Sequence, residues 1–210
     1  TPQFGFTIIE MIVSLALCAV VITISVGALL VLIATNRQLQ DDQNILTNLS
    51  FVLDSMTREI RTGTAYYCDQ RPNTNGNNHM FTSWNGPSNT AVQDCENGRV
   101  QSVQGISFVE GGSSVTAGVT GDRIVYFYDA SDQALFRRIG DQVAQQISST
   151  GLIITDAEFF VSGSEPRGPG GAGREDQPTV TIFLEAAAGD DSLDTRYQIQ
   201  TTVVQRSLDL

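Results

Sequence analysis

The feature that most constrains this chain is a hydrophobic stretch close to its N-terminus. Residues 11–35 are 25 consecutive residues without a charge, and 20 of them are apolar. About 20 apolar residues in a helix cross the hydrocarbon core of a bilayer, so the stretch predicts a membrane-spanning helix. A secretory signal has a shorter apolar core followed by a small-residue cleavage site, and neither property fits here. A wholly soluble protein is therefore not expected.

The helix is predicted to continue beyond the membrane. No proline occurs between Phe6 and Arg71, and after residue 35 the apolar residues are spaced by three and four, which places them on one helical face. We predict one helix from Phe6 to about Arg61, ended near Gly63, whose amphipathic second half (residues 36–62) lies on a globular domain. A coiled coil is the alternative for this half. The predicted apolar face consists of Leu39, Ile45, Leu46, Leu49, Val52, Leu53, Met56 and Ile60.

Residues 63–210 are predicted to form a β-rich domain. Antiparallel strands after one long helix indicate an α+β fold, with a β-sheet packed on the apolar face of the helix. Residues 128–133 are typical of a hairpin connection, and residues 163–177 of an exposed loop. The strand-like runs are 106–109, 123–128, 134–139, 152–161, 179–185 and 197–204.

Two of the three cysteines are predicted to form a disulfide. Cys68 and Cys95 flank a segment rich in Asn, Gly, Ser and Pro, and a bond between them would close it as a loop. Disulfides persist outside the cytoplasm, so the domain is expected to be extracytoplasmic. Cys18 lies in the membrane stretch and is interpreted as a small apolar residue. Within the loop, the region around Trp84 forms either an exposed binding tip or a contact that holds the loop to the domain.

Composition argues against an enzyme and against a nucleic-acid-binding surface. All 12 basic residues are Arg, which excludes Schiff-base and P-loop lysine chemistry. The single histidine, His79, and three cysteines offer few routes to a zinc site or a His-dependent triad. The net charge of −11 disfavours nucleic acid as a partner. We expect no catalytic residues and no cofactor.

One acidic cluster is a weak candidate for calcium. Asp190, Asp191 and Asp194 lie close together in a turn-like segment, and calcium binds loops with several carboxylates. The spacing is not that of an EF-hand, and a solvated acidic turn accounts for it better. No metal site is therefore predicted.

The acidic residue directly before the hydrophobic stretch needs its own explanation. A lone carboxylate at or below the membrane edge costs roughly 2–4 kcal/mol, so it normally has a partner or a function. Glu10 stands in the sequence Gly5-Phe6-Thr7-Ile8-Ile9-Glu10. This string, followed at once by the apolar run, resembles the processing site of type IV prepilins and type II secretion pseudopilins.

The resemblance implies a specific processing and assembly route. A prepilin peptidase would cut between Gly5 and Phe6 and methylate the new N-terminal amine of Phe6, so that residues 1–5 are a residual leader peptide. Residues 6–35 would be first a transmembrane helix and later part of a filament core. There the Phe6 amine and the Glu10 carboxylate of neighbouring subunits would pair, because each buried charge is otherwise uncompensated.

The expected function follows from this resemblance. The domain is larger than that of an abundant shaft subunit, and its closing strand pattern is similar to larger minor pilins or J-type minor pseudopilins. We expect a structural, tip-proximal subunit of a type IV pilus or a pseudopilus, first a single-pass inner-membrane protein and then part of an extracellular or periplasmic filament. Its partners would be other pilin or pseudopilin subunits, the prepilin peptidase, the inner-membrane assembly platform and membrane lipid. The alternatives are a tip adhesin or DNA-uptake module, and, more weakly, a surface enzyme.

Overall fold

The computed structural model describes residues 5, 7–68, 88–95, 104–113, 123–165, 177–188 and 196–206. The chain divides into two compact units, Thr1–Asn44 and Ile45–Leu210. A single helix, α1 (Ile8–Thr62), precedes the strands of these described residues. The strands are β1 (Thr64–Cys68), β2 (Gly105–Val109), β3 (Arg123–Asp129), β4 (Ala134–Ile139), β5 (Gln145–Gln146), β6 (Leu152–Ser162), β7 (Thr179–Ala188) and β8 (Arg196–Val204).

The first unit consists of the N-terminal part of α1. The uncharged stretch is helical throughout, as its apolar composition and lack of proline predict. Its 25 residues correspond to about 37 Å of helix, enough to cross a bilayer. Every described side chain from Thr7 to Asp41 is exposed. The predicted start at Phe6 lies outside the described residues.

The second unit contains the end of α1, which buries a narrower face than the sequence predicts. Six apolar side chains of the predicted face are buried, but Leu39 and Leu46 are 52% and 43% exposed. At about 100° per residue, Leu46 lies roughly a fifth of a turn from the centre of the buried stripe, which explains its exposure. Leu39 belongs to the first unit. The buried residues are Ile45, Leu49, Val52, Leu53, Met56 and Ile60.

The helix ends at Thr62, as predicted, and residues of the domain donate hydrogen bonds to a carbonyl group of its last turn and to that of the next residue, Gly63. The Tyr66 hydroxyl donates to the carbonyl oxygen of Gly63 at 2.8 Å. The Gln205 side-chain amide donates to the same oxygen at 2.9 Å, and the Arg206 amide donates to the carbonyl oxygen of Arg61 at 2.8 Å. Because a helix leaves its last four carbonyls without helical partners, these bonds fix the helix end to β1 and to the residues after β8.

The strands form two antiparallel sheets, where the sequence predicted one. The first has the order β1-β2-β3-β4-β5 and the second β6-β7-β8. The predicted hairpin connects β3 to β4, with Gln133 at a positive φ of 49°. The strands β1 and β5 were not predicted. Strand β1 is interrupted by a register shift beside Ala65, whose φ is 52°, and β5 has only two residues, so neither has a clear alternating pattern.

One hydrophobic core joins the helix to both sheets. Buried side chains of the helical stripe, of β1 to β4 and of β6 to β8 belong to a single cluster. A smaller cluster around Val125 and Phe127 covers the opposite face of the first sheet, together with Phe136, Tyr67 and Ala144. Strand β3 is therefore buried on both faces, which accounts for its continuous apolar sequence.

Candidate membrane-anchoring and assembly helix

Glu10 lies in the first turn of α1, where its carboxylate is exposed. A negative charge in the first turn is stabilised by the unpaired amides and the dipole of the helix N-terminus. Gly5 is also exposed, whereas Phe6, the predicted partner of Glu10, lies outside the described residues. Glu10 therefore lies at the N-terminal end of the apolar helix. The pairing of its carboxylate with the Phe6 amine of a neighbouring subunit stays a prediction.

The hydroxyl groups within the uncharged stretch are bonded inside the helix. Ser14 donates to the carbonyl oxygen of Met11 at 3.0 Å, Thr23 to that of Ala19 at 2.8 Å and Ser25 to that of Val21 at 2.8 Å. Thr35 closes the stretch in the same way. Since an unpaired polar group is costly in hydrocarbon, this pattern suits a helix that meets lipid on all sides.

The apolar side chains of the first unit are exposed. Within the described residues, α1 is the one helix whose length and composition suffice to cross a membrane, and no residue of its most apolar window is buried. The core helix of a soluble protein would be largely buried, so that explanation of the apolar stretch does not fit. An exposed apolar surface of this size is typical of a segment that contacts a membrane or another protein.

The predicted disulfide between Cys68 and Cys95 is present. Both cysteines are fully buried, with their Cα atoms 6.3 Å apart. The Cys95 amide also donates to the carbonyl oxygen of Val161 at 2.8 Å. The bond thus joins the end of β1 to a segment that lies against β6.

A buried arginine also donates hydrogen bonds to the segment that precedes Cys95. Arg123, the first residue of β3, is fully buried and donates to the carbonyl oxygens of Ser88 (3.1 Å), Ala91 (3.4 Å) and Ala65 (2.6 Å). It also donates to the hydroxyl and the carbonyl of Ser107 at 3.2 Å each. Burial lowers the pKa of Arg123 to about 10, so it remains charged at neutral pH. Its acceptors in the described residues are all uncharged oxygens.

Asp94 fixes the start of the connection between β6 and β7. Its carboxylate accepts hydrogen bonds from the amides of Gly163 (3.0 Å), Ser164 (2.6 Å) and Glu165 (3.3 Å). In return, the Asp94 amide donates to the Glu165 carboxylate at 3.1 Å. Three amides on one carboxylate form a small anion-binding nest within the fold. The disulfide, Arg123 and Asp94 together hold residues 88–95 against both sheets.

A third polar cluster joins the helix to the first sheet. Glu59 of α1 accepts from Arg137 through both carboxylate oxygens at 3.0 Å, and from the Tyr126 hydroxyl at 2.7 Å. Burial raises the pKa of Tyr126, and the hydrogen bond to Glu59 adds to the shift, so the phenol stays protonated as the donor. Arg137 and its neighbour Arg138 face opposite sides of β4, because side chains alternate along a strand, so they do not form one basic patch.

Several predicted site residues lie outside the described residues. These are Phe6, His79, Trp84 with the loop around it, and the weak calcium candidates Asp190, Asp191 and Asp194. Among the residues that are described, no group of three or more His, Cys, Asp or Glu side chains could hold a metal ion. Sequence reasoning missed Arg123 and Asp94, because each is a single residue whose partners are distant in the chain.

The architecture is an α+β fold, and it does not by itself assign the chain to a family. One long apolar N-terminal helix on antiparallel sheets resembles the pilin fold. No protein-family model, curated protein or solved structure matches the chain.

Proposed function

We propose that the chain is a structural subunit of a type IV pilus or a type II secretion pseudopilus. It is anchored in the inner membrane by residues 6–35, cleaved between Gly5 and Phe6 by a prepilin peptidase, and built into a filament through the same helix. Its size favours a minor, tip-proximal position. It has no catalytic activity of its own.

The observation that carries the proposal is Glu10 in the first turn of a helix whose apolar side chains are exposed along the first unit. The domain completes its core with residues from Ile45 onward, while the preceding helix exposes its apolar side chains. Such a surface is stable only in lipid or in a bundle of similar helices. An acidic residue at its start suits a helix that moves between these two surroundings, because it can be compensated by the amine of a neighbour.

The test is the incorporation of Glu10→Gln into sheared surface fibres, in cells that carry the assembly system. We expect membrane insertion to be retained and incorporation to fall about tenfold or more, as for the loss of one buried ion pair. The matched control is Asp54→Asn, a carboxylate exposed on the same helix. Mass spectrometry should find a mature chain that begins at methylated Phe6. A wild-type chain that never enters fibres, or a different mature N-terminus, would falsify the proposal.

A second candidate function is display of the Cys68–Cys95 loop as an adhesin or DNA-uptake module. The observation in its favour is the rigid stem, which Arg123 and the disulfide fix independently. Its test is a deletion of residues 73–85, which spares the contacts of Ser88 and Ala91. Fibres that still form but no longer attach or take up DNA would support this function, and unchanged attachment and uptake would exclude it.

A further inference from the structure

Residues 88–95 form a strap that is hydrogen-bonded to an edge strand of each sheet. In the first sheet, the Gln93 amide donates to the carbonyl oxygen of Tyr66 in β1 at 3.0 Å. In the second sheet, the Cys95 amide donates to the carbonyl oxygen of Val161 in β6 at 2.8 Å. The strap therefore bridges two sheets whose strands pair separately.

The strap is held by hydrogen bonds more than by apolar burial. Of its residues, only Asn89 and Cys95 are buried, and Cys95 alone belongs to the hydrophobic core. Its two other apolar side chains, Ala91 and Val92, are half-buried. A segment with few buried apolar contacts opens at a lower free energy than the strands of the core.

One buried side chain of the strap favours this opening. Asn89 is fully buried, and within the described residues neither the oxygen nor the nitrogen of its side-chain amide has a hydrogen-bond partner. A buried polar group without a partner is unfavourable because it has lost its bonds to water. The amide regains those bonds when the strap opens, which lowers the free energy of opening.

The disulfide between Cys68 and Cys95 lies beneath the strap and β6. Both cysteines are fully buried. The Cys68 sulfur lies 3.6 Å from the carbonyl oxygen of Gln93 in the strap, and the Cys95 sulfur lies 3.7 Å from that of Phe159 in β6. The rate of thiol–disulfide exchange depends on access to a sulfur. An external thiol therefore needs the strap, or the whole domain, to open.

We propose that the strap opens as one unit while both sheets stay folded, and that this opening controls the exchange of the Cys68–Cys95 bond with external thiols. A dithiol reductant supplies the two electrons and two protons: one of its thiolates attacks a sulfur of the bond, and its second thiol resolves the mixed disulfide. The products are two cysteine thiols and the oxidised reductant. Such a gate acts within the domain itself, whether or not the chain enters a filament.

The gate makes the bridge between the sheets sensitive to redox conditions. While the strap is closed, the bond is shielded from reductants. After reduction, the strap loses its covalent connection to β1, and only hydrogen bonds keep it on the edges of β1 and β6. Since an uncovered strand edge is a template for pairing with another chain, reduction exposes the domain to association through these edges.

The test is the rate at which dithiothreitol reduces the full chain, in detergent and at increasing urea concentrations below the unfolding transition. Alkylation and mass spectrometry of the peptides that contain Cys68 and Cys95 follow the reaction, so Cys18 does not interfere. We expect reduction to be about 100-fold or more slower than in the unfolded chain. Its rate should be independent of urea in this range, because opening the strap exposes little surface, whereas global unfolding accelerates steeply with urea.

A variant tests the attachment of the strap. Asp94→Ala removes the carboxylate that accepts hydrogen bonds from three amides of residues 163–165, so we expect the urea-independent rate to rise about tenfold. The matched control is Asp129→Ala, which removes a carboxylate that accepts from the amide and the hydroxyl of Ser131 in the β3–β4 turn. It should leave this rate unchanged even if it lowers the free energy of global unfolding.

Hydrogen exchange of the unmodified chain is a second measurement that needs no variant. The Gln93 and Cys95 amides should exchange together, and faster than those of the β6–β7 ladder. The inference is overturned by exchange of these two amides only with the ladder, or by reduction as fast as in the unfolded chain. It is equally overturned by a reduction rate that follows global unfolding at every urea concentration, or by equal effects of the two variants.

Discussion

At the scale of single residues, the most informative side chain is Arg123. Its guanidinium is fully buried and loses its hydration. Five hydrogen bonds to uncharged oxygens compensate for that loss. Its guanidinium also lies 6.0 Å from the centroid of the Tyr67 ring. A planar group with five donors can bind acceptors on three separate segments at once, which a lysine cannot do.

We predict that Arg123→Met destabilises the domain by about 2–4 kcal/mol, because several buried carbonyl groups lose their donor. The measurement is urea unfolding of the full chain in detergent, followed by near-ultraviolet circular dichroism. The control is Arg196→Met. Its side chain is 61% exposed, and we expect an effect below about 1 kcal/mol. Similar losses for the two variants would show that the hydrogen bonds of Arg123 add little.

Residue-level features divide into those with a local sequence signal and those without one. The disulfide could be predicted because two cysteines border a turn-rich segment. The residues next to Arg123 and Asp94 in the sequence do not indicate the roles of these two side chains. The acceptors of Arg123 are up to 58 residues away in the chain, and the donors to Asp94 are about 70 residues away. Their function exists only once strands distant in the chain have been brought together.

At the scale of elements, the helix end and the β3–β4 hairpin were predicted, because both depend on local turn chemistry. The division into two sheets was not, since strand pairing is decided by contacts far apart in sequence. The exposure of Leu39 and Leu46 was also missed. Their spacing alone fits an amphipathic helix, but only the packed domain defines the width of the buried stripe.

The junction between α1 and β2 depends on one glycine. A Cβ atom at Gly111 would clash with the carbonyl oxygen of Thr62, the last residue of α1. That oxygen belongs to the backbone, so it cannot move without shifting the helix end. We predict that Gly111→Ala destabilises the domain by about 1–3 kcal/mol. Thermal unfolding by near-ultraviolet circular dichroism measures the loss.

The matched control for this variant is Gly151→Ala. A Cβ atom there meets nothing within 4 Å and the φ is not in the left-handed range. We expect a change within about 0.5 kcal/mol, as for an exposed surface substitution. Equal effects of the two substitutions would mean that the approach of Gly111 to the helix end is not a tight constraint.

At the scale of the whole molecule, the two units differ in the exposure of their apolar side chains. The second unit takes its core from α1 residues after Asn44 and from the sheets, and none of the described residues of the first unit belongs to that core. A chain organised in this way can change the surroundings of its apolar helix, from lipid to a helix bundle, without unfolding its domain. The proposed function requires this independence.

Two matched variants test that independence. Val20→Asp/Ile24→Asp places two charges on exposed apolar positions of the first unit, at about 2.5–3.5 kcal/mol each in a membrane. We predict loss of membrane retention after alkaline extraction, with the Cys68–Cys95 disulfide and the protease-resistant domain preserved. Leu49→Asp places one charge in the core, at a fully buried position, and should give the opposite result. If the double variant also lost its resistant domain, the two units would depend on each other, and a helix that exchanges lipid for protein could not be reconciled with this fold.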